Sequence, residues 1–235
     1  MTSTAAVIGS TGLVGHQILA TLLHLDACKT VCTISRRAPK TEPSAKLSAT
    51  VDADTGKWAS LLTGLSPAPA AVYSALGTTR LQAGGLQNQW NIDHDLNIEL
   101  ATAAHAAGTQ TFVFVSTAGA QGLMSSVTPY FKMKAGVERA IQSLGFQQAI
   151  ILRPGFLLGE RNVAHTGGAL MGSLFHGLKT YIGQGAQDKF AQDGQLVARA
   201  AVKAAMLAAE GKAPSKYWVL EQNDIVRLGR GEWDA

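Results

Sequence analysis

Two side chains in the middle of the chain have the types and spacing needed for proton transfer. Tyr130 and Lys134 are four residues apart, which places them one above the other on a helix face. A free tyrosine has a pKa of about 10 and is a poor acid–base group at neutral pH. A neighbouring ammonium stabilises the phenolate and lowers that pKa towards the working pH. The pair therefore predicts a tyrosine that exchanges a proton with a substrate.

A hydroxyl group at the end of the preceding strand is the third candidate catalytic group. The apolar run 112–115 predicts a central strand, which is followed by Ser-Thr-Ala-Gly. Here Ser116 is positioned to hydrogen-bond a substrate carbonyl, and Thr117 is a substitute for it. The structural alternative for Ser116 is a helix cap or a turn hydroxyl.

The element that must hold a cofactor beside these groups lies near the N-terminus. The apolar run 5–8 predicts a buried strand, and apolar residues at helical spacing begin at Leu13. A strand, a glycine turn and a helix N-terminus together bind a dinucleotide pyrophosphate. In such a turn Gly9 permits the sharp bend, Gly12 a close approach to the phosphates, and Gly15 close packing of helix on strand. A tight structural turn is the alternative. The residues predicted to contact the cofactor are Gly9, Ser10, Thr11, Gly12, Leu13, Val14 and Gly15.

The end of the second predicted strand indicates which dinucleotide is bound. An acid at this position binds the 2′-hydroxyl of NAD, whereas an arginine accommodates the 2′-phosphate of NADP. The strand here ends Ile-Ser and continues with Arg36 and Arg37, and the next acid is Glu42. A guanidinium pairs with a phosphate through two parallel hydrogen bonds. The sequence thus favours NADP(H), with two solvated surface arginines as the alternative.

Alternation of strand and helix patterns predicts a doubly wound parallel α/β sheet with helices on both faces. Further strands are predicted at 30–34, 47–51, 70–75, 149–152 and 217–220. Helices are predicted at about 87–107, 129–144 and 196–210, the first two ended by glycines. Residues 155–187 are glycine-rich and are expected to be loops with one short helix. No linker divides the chain, so residues 1–235 are expected to form a single domain.

The amino-acid composition argues against nucleic-acid binding, a redox cysteine pair and a metal site. The chain has 235 residues, of which 46% are hydrophobic and 15% charged, as suits a buried parallel sheet. The net charge is +4, but the basic residues are scattered and aromatics are only 6%, so no nucleic-acid surface is expected. Cys28 and Cys32 are expected to be buried thiols rather than a redox pair, and no metal site is predicted.

The beginning of the chain carries no secretory pattern, and no apolar run reaches the roughly 18 residues of a membrane span. The expectation is therefore a soluble, cytoplasmic protein, either a monomer or a homodimer.

The glycine turn, the Ser-x-x-Gly strand end and Tyr-x-x-x-Lys together resemble the short-chain dehydrogenase/reductase superfamily, in its extended or atypical branch. The segments 74–80, 152–161 and 224–230 are similar to Tat-interacting-protein-like oxidoreductases and their fungal mitochondrial-proteome relatives. This resemblance covers essentially the whole chain. It implies an NADP-binding Rossmann domain and, as an alternative location, peripheral association with the mitochondrial outer membrane.

The resemblance also implies roles for individual residues. Ser116 would position the carbonyl, Tyr130 would supply the proton, and Lys134 would tune Tyr130 and hold the nicotinamide ribose. An asparagine of the family's proton relay has two possible counterparts, Asn91 and Asn97, and the sequence does not choose between them. The remaining candidates for cofactor binding are Asp52, Leu76, Gly77, Thr78, Pro154 and Gly155, of which Gly77 and Thr78 would line the nicotinamide side.

Three functions are compatible with these residues. An NADPH-dependent reductase of a small carbonyl compound is favoured because all three catalytic residue types occur in the expected order. A nucleotide-bound regulatory or scaffold protein and a redox-silent isomerase or dehydratase are the alternatives, since fold alone does not imply function. The substrate wall is predicted in residues 155–187 and in the loop from Ala118 to Pro129. Its apolar residues suggest an apolar substrate; they are Met124, Phe156, Leu157, Leu170, Met171, Leu174 and Phe175. His165 and His176 could contact the substrate, but each is more simply explained as facing solvent or as hydrogen-bonded within the protein.

Overall fold

Parallel strands form the centre of the molecule, seen in a computed structural model that describes residues 4–122, 128–158 and 191–233. In chain order the strands are β1 (Thr4–Ile8), β2 (Thr30–Ser35), β3 (Leu47–Val51), β4 (Ala71–Ser74), β5 (Thr111–Val115), β6 (Gln148–Leu152), β7 (Phe156–Leu158), β8 (Ala191–Asp193) and β9 (Tyr217–Leu220). Seven of them make one sheet in the order β3-β2-β1-β4-β5-β6-β9. Every pairing in it is parallel, which confirms the predicted doubly wound sheet.

Helices cover both faces of this sheet. In chain order they are α1 (Leu13–His24), α2 (Trp58–Thr63), α3 (Arg80–Ala83), α4 (Leu86–Trp90), α5 (Leu96–Ala106), α6 (Pro129–Leu144), α7 (Gly194–Ala209) and α8 (Gln222–Val226). Buried residues of α1, α7 and α8 pack on one face, and those of α2, α5 and α6 pack on the other. Strands buried on both faces need apolar residues at successive positions. For this reason the sequence shows short continuous apolar runs instead of alternation.

The long helix predicted at 87–107 is divided in the structure. A π-helical segment, Asn91–Asp95, separates α4 from α5. The predicted end is confirmed, because Gly108 follows with a φ of 83°, a conformation that favours glycine. A single-turn π segment inserts an extra residue into the helix and often marks a functional site. Here it carries the fully buried carboxylate of Asp93.

Five short helical elements were not predicted from the sequence. They are the 3₁₀ turn Thr55–Lys57, α2, α3, α8 and the π segment Arg227–Gly231. All are too short for a periodic apolar pattern to be recognised. Their positions are set instead by caps, such as the Asp54 carboxylate that accepts a hydrogen bond from the Gly56 amide at 3.0 Å.

The segment predicted as loop-rich is only partly described. Its first residues form β7, which pairs in parallel with β8. Several other residues expected to form the substrate wall lie outside the described residues, namely Met124, His165, Leu170, Met171, Leu174, Phe175 and His176. Among the described helices, none is long and apolar enough to cross a bilayer.

Candidate functional site

The sheet reverses its strand order between β1 and β4, and the connections that leave these two strands separate there. β1 is followed by the Gly9–Gly12 turn and β4 by the segment 75–78, so both lie over the carboxyl ends of the strands. The Ala75 amide donates to the Ile8 carbonyl at 3.0 Å and ties the two segments together. A cavity of about 1230 Å³ opens at this point. Crevices at such switch points are where open α/β sheets bind ligands.

The glycine turn has the geometry that its spacing predicted. Gly9 has a φ of 81°, and a Cβ there would lie 2.8 Å from the Ala75 carbonyl. A Cβ on Gly15 would collide with the Gly9 carbonyl oxygen, so only glycine lets α1 begin this close to the turn. The Gly12 amide donates to that same oxygen at 2.9 Å. The turn thus requires glycine at its first and last positions.

Some residues of this turn line the cavity, and the others are buried behind it. Gly9, Thr11, Gly12 and Leu13 line the cavity. Val14 and Gly15 are buried behind them and pack α1 on the sheet, while Ser10 is fully buried beneath the turn. Within the described parts of the chain, the Ser10 hydroxyl has no hydrogen-bond partner. A buried hydroxyl without a hydrogen-bond partner in the protein calls for an explanation, such as a ligand that accepts its proton. An anionic group bound at this turn would be such an acceptor.

The other end of the cavity is formed by the segment that follows β2. Arg36 and Arg37 are both exposed and line the cavity, as predicted. The Ser35 hydroxyl donates to the Arg37 carbonyl at 2.7 Å and fixes the path of the chain through the two arginines. These guanidinium groups are therefore available to an anionic ligand.

Asp52 does not line this cavity, in contrast to its predicted role. Its Oδ1 accepts a hydrogen bond from the Asp54 amide at 2.8 Å, and its carbonyl accepts one from the Trp58 indole at 3.0 Å. Asp52 therefore shapes the turn that starts α2. The lining residues from this part of the chain are Thr55 and Trp58, which no motif indicated.

The opposite wall contains Leu76, Gly77 and Thr78, as predicted. It also contains Asn91, one of the two candidate relay asparagines. Residues that sequence reasoning missed come from α3, α4, the π segment and the start of α7, namely Gln82, Ala83, Asn88, Ile92, Asp193, Gly194 and Gln195. The α7 group had a recognisable signal, since Asp193 precedes a helical pattern and its carboxylate caps the Leu196 amide at 2.8 Å. A Cβ on Gly194 would lie 3.1 Å from the Leu13 carbonyl, which shows how closely the starts of α7 and α1 approach.

Lys134 lies buried behind this wall. Its ammonium donates to the Val115 carbonyl at 3.0 Å, contacts the Leu76 carbonyl at 3.5 Å and stands 4.7 Å from the centre of the Phe114 ring. Burial lowers the pKa of Lys134 to about 8, while the carboxylates of Asp93 and Glu138 act in the opposite direction. Tyr130, one turn earlier on α6, is 38% exposed. The predicted pair therefore combines an accessible phenol with a buried ammonium.

Ser116 belongs to a buried ionic network that the sequence analysis did not anticipate. Its hydroxyl donates to Glu138 Oε1 at 2.6 Å. Arg153 reaches both oxygens of the same carboxylate, from Nε at 3.1 Å and from Nη2 at 2.7 Å, and Gln121 donates to Oε2 at 3.0 Å. The hydrogen bonds with Glu138 raise the pKa of Arg153 above its ordinary value. The available signal was that Glu138 follows Lys134 by four residues, on the same helix face.

This network bears on the choice between Ser116 and Thr117. A serine has a single proton to donate, and that of Ser116 is given to a carboxylate at the short distance of a charge-assisted bond. Donation to a substrate carbonyl would require this bond to break. The Thr117 hydroxyl has only a 3.4 Å contact with the adjacent Ala118 carbonyl, and Thr117 is half-buried. The geometry favours Thr117 as the hydroxyl available to a ligand.

The two candidate asparagines have different surroundings. Asn97 is buried; it accepts from the Ser74 hydroxyl at 2.7 Å and donates to the Asp93 carbonyl at 3.2 Å. Asn91 lines the cavity and accepts from the Gln87 amide at 3.0 Å. Asn97 therefore braces the π segment, and Asn91 is the one exposed to the cavity.

Pro154 and Gly155 join neighbouring segments and do not line the cavity. The Pro154 carbonyl accepts from the Ala118 amide at 2.8 Å, and the Gly155 amide donates to the buried Gln192 side chain at 2.6 Å. Elsewhere, Cys28 and Cys32 are buried free thiols, as expected, and burial raises the pKa of both. Within the described ranges, no cluster of side chains is arranged to hold a metal ion.

A parallel sheet with a glycine turn at its switch point, followed by a buried lysine one turn after an accessible tyrosine, defines a Rossmann-type protein of the extended short-chain dehydrogenase/reductase class. Residues 5–195 match the NAD dependent epimerase/dehydratase family, and the chain belongs to this family.

Two curated fungal proteins illustrate its sequence relatives. The chain is 58% identical over 228 residues to "Protein FMP52, mitochondrial" of Chaetomium globosum, covering 97% of each chain. It is 57% identical over 234 residues to "Protein fmp-52, mitochondrial" of Neurospora crassa, covering 98% of this chain and 97% of the relative. These matches confirm the resemblance to the fungal mitochondrial-proteome proteins.

Solved structures share the fold at low sequence identity. One is UDP-glucose 4-epimerase of Thermotoga maritima with UDP-glucose, with a TM-score of 0.66, 15% identity and coverage of 99% of this chain and 84% of that one. Another is the Bordetella bronchiseptica enzyme WbmH in complex with NAD⁺, with a TM-score of 0.63, 17% identity and coverage of 93% and 85%. At such identities the likeness establishes the fold alone.

The expectation of a cytoplasmic location is wrong. Relatives that are 54–58% identical over nearly the whole chain are named as mitochondrial proteins. That expectation rested on the absence of a secretory pattern and of a membrane-spanning run, and mitochondrial targeting segments have a different, amphipathic pattern. The single-domain organisation and the monomer or homodimer state stay predictions.

Proposed function

We propose that the protein is an NADP(H)-dependent oxidoreductase that reduces a small, apolar carbonyl compound. The observation that carries this proposal is the position of Arg36 and Arg37, exposed on the cavity that the glycine turn bounds at its other end. Neither these residues nor Ser35 before them is acidic. In this fold an acid at that position favours NAD, and a guanidinium favours the 2′-phosphate of NADP.

The nicotinamide cofactor, when bound, supplies a hydride to the carbonyl carbon. Tyr130 is accessible and would donate the proton to the carbonyl oxygen. Lys134, buried one turn away, would favour the phenolate by its charge and so bring the pKa of Tyr130 towards the working pH. The backbone carbonyls of Val115 and Leu76 hold the Lys134 ammonium in place. Thr117 would donate a hydrogen bond to the substrate oxygen, because the Ser116 proton is held by Glu138.

An apolar substrate is supported by the start of β7. Phe156 is 58% exposed directly after the Pro-Gly break at the end of β6. Phe156 lies at the start of the segment predicted as the substrate wall, and burying its exposed ring against an apolar ligand would be favourable.

A redox-silent epimerisation or dehydration is the second candidate. The family's own description supports it, as does the presence of epimerases among proteins of the same fold. The same Tyr130 and Lys134 would serve in that reaction, but the cofactor would be regenerated in each cycle. Net consumption of NADPH therefore separates the two candidates.

Cofactor choice is tested by measuring the Kd values of NADPH and NADH by calorimetry. NADPH should bind more tightly, and Arg36→Ala or Arg37→Ala should weaken NADPH by about 10-fold or more while leaving NADH nearly unchanged, as expected for a charge-assisted bond worth about 1.5–3 kcal/mol. Lys40→Ala is the matched control, because Lys40 is exposed in the same segment but does not line the cavity. Equal affinity for the two cofactors in the unmodified protein would refute the NADP assignment.

The reaction is tested with a panel of aldehydes, ketones and quinones, following the loss of NADPH absorbance. Consumption of NADPH supports the reductase. Product formed without net consumption supports the redox-silent reaction. Tight NADPH binding with no turnover on any substrate supports a regulatory or scaffold protein in place of both.

We also infer that the protein is mitochondrial, on the strength of its named relatives. Fractionation of fungal cells that express the full chain with a C-terminal tag tests this. Recovery in the mitochondrial fraction is expected, and recovery in the cytosol alone would contradict it.

A further inference from the structure

Two buried carboxylates lie near the ammonium of Lys134, and they differ in what they bind. Glu138 follows Lys134 by one turn of α6, and Asp93 comes from the π segment; both are fully buried. Glu138 forms a two-point ion pair with Arg153, at 3.1 and 2.7 Å. Glu138 therefore already has a cationic partner of its own, although Arg153 also binds the exposed Glu221 carboxylate at 2.8 Å.

Asp93 receives hydrogen bonds from neutral donors. Its Oδ1 accepts from the Thr78 amide at 2.7 Å, and its Oδ2 lies 3.4 Å from the amide nitrogen of the Gln89 side chain. A buried carboxylate is costly unless a positive charge also balances it. Lys134 is the cation on the facing helix.

Gly77 marks the space between these two groups. A Cβ on this glycine would lie 3.8 Å from Asp93 Oδ1 and also 3.8 Å from Lys134 Nζ. The carboxylate and the ammonium thus approach the same backbone position from the π segment and from α6. Because both atoms lie 3.8 Å from one point, they are at most about 7.6 Å apart, a separation at which opposite charges in a buried region of low dielectric still attract each other. The pKa of Lys134 agrees, since Asp93 raises it more than Glu138 does.

Among the described residues, the other titratable groups near Lys134 contribute less than Asp93 to keeping it charged, Glu138 included. On its own helix they are Tyr130 and Glu138, and from the end of β6 comes Arg153, bound to Glu138. From the π segment, the His94 ring packs on Gly136, and its Nδ1 lies 2.7 Å from the Asp95 carboxylate. β5 contributes the Phe114 ring and the Val115 carbonyl, which carry no net charge.

We propose that Asp93 is a positioning residue that acts through Lys134: its carboxylate is the counter-ion that keeps the buried lysine an ammonium. The charge of that ammonium then sets the pKa of Tyr130. The inference rests on the proposed function, which gives Tyr130 the proton transfer and Lys134 the lowering of its pKa. The π segment is the element that carries the buried Asp93 side chain.

The test is Asp93→Asn, read out by the ultraviolet absorbance of tyrosinate as the pH is raised. Asparagine still offers an oxygen to the Thr78 amide, so the substitution removes the charge and keeps the hydrogen bond. Subtracting the titration of the same protein carrying Tyr130→Phe isolates Tyr130. Its pKa is expected to rise by about one unit or more, as for loss of a nearby opposite charge.

The sign of the effect in a second background identifies the mechanism. With Lys134→Met in place, Asp93→Asn should lower the Tyr130 pKa or leave it unchanged, because only a negative charge is then removed. The proposal would be overturned if Asp93→Asn raised the Tyr130 pKa both with Lys134 and with Lys134→Met. It would also be overturned if the Tyr130 pKa did not rise when Lys134 is present. Asp95→Asn is the matched control: this carboxylate is in the same π segment but 55% exposed, and no shift is expected.

If Asp93→Asn does not fold, the reciprocal measurement decides, since coupling between two groups is mutual. The carboxyl ¹³C signal of Asp93 is titrated in the unmodified protein and in Lys134→Met. The Asp93 pKa should rise when the lysine is removed, and an unchanged value would overturn the proposal. Neither titration uses a substrate or a cofactor, so a lack of carbonyl reduction would leave their outcome unaffected.

Discussion

The two halves of the crevice are built in opposite ways. In the cofactor half, the exposed Arg36 and Arg37 line the cavity, and the Ser10 hydroxyl buried beneath the glycine turn has no partner within the described parts of the chain. In the catalytic half, beneath Tyr130, the polar groups of Ser116, Lys134 and Glu138 are buried and bound to the protein itself. Hydrogen-bond donors without protein partners can bind an anionic cofactor. Buried charges that are hydrogen-bonded to one another instead make their region rigid and fix the protonation states of its groups. Substitutions in the first half should therefore change cofactor binding, and substitutions in the second should change stability or turnover.

The largest effect is expected from Glu138→Ala, which leaves the Arg153 guanidinium without its two-point partner. Breaking a buried pair in this way should lower the free energy of unfolding by about 3–5 kcal/mol, measured by urea denaturation. Glu221→Ala is the control, because that carboxylate also binds Arg153, at 2.8 Å, but is 51% exposed. Its loss should cost at most about 1 kcal/mol. Equal costs for the two variants would remove the contrast between the two halves.

Tyr130→Phe should reduce kcat by about 10²–10⁴-fold, the usual contribution of a general acid. Since Tyr130 is partly exposed, thermal stability and the Kd of NADPH should stay unchanged. Steady-state kinetics on a substrate found in the panel, with calorimetry as the binding control, provide the measurement. Activity retained in this variant would show that the catalytic half does not act through Tyr130.

The burial of Lys134 should appear in the pH dependence of stability. Its pKa is lowered in the folded protein to about 8, against an ordinary value of 10.5. Between these values the unfolded chain keeps the proton and the folded chain releases it, so the Lys134 contribution to the free energy of unfolding rises with pH. The free energy of unfolding of the unmodified protein, relative to that of Lys134→Met, should increase by about 3 kcal/mol as the pH rises across this window.

Denaturation of both proteins at several pH values checks this. Tyr73 and Tyr217, whose pKa values are also raised by burial, are present in both proteins and cancel in the difference. A difference that stays constant with pH would place Lys134 in contact with solvent.

The smallest effects separate Thr117 from Ser116. Thr117→Val should lower kcat/KM by about 10-fold, equivalent to one hydrogen bond of about 1.4 kcal/mol, and leave stability nearly unchanged. Ser116→Ala should instead reduce the free energy of unfolding by about 1.5–3 kcal/mol, because it removes a hydrogen bond to a charged group. The reverse pattern would mean that Ser116 releases Glu138 when substrate binds.

Prediction from sequence succeeded where a feature depends on the local backbone. The central strands and α6 were found from apolar runs and from glycines that end helices, and α6 has the predicted bounds at Pro129–Leu144. The positions of Gly9 and Gly15 follow from the steric needs of one turn. The division of the long helix was missed, because a π segment has no apolar period of its own.

The sequence by itself determined the fold class, the glycine turn, the exposed arginine pair after β2 and the helical spacing of Tyr130 and Lys134. These depend on contacts within a few residues or on a period in the chain. Only the tertiary structure decided that Asp93 approaches that lysine and that Ser116 and Arg153 bind Glu138 one turn further on. These residues come from the π segment, α6 and the ends of β5 and β6, so their charges meet only when the strands align and burial makes each unpaired charge costly. The same packing turned the Ser116 hydroxyl towards Glu138, left Thr117 available, and placed Asp52 outside the cavity.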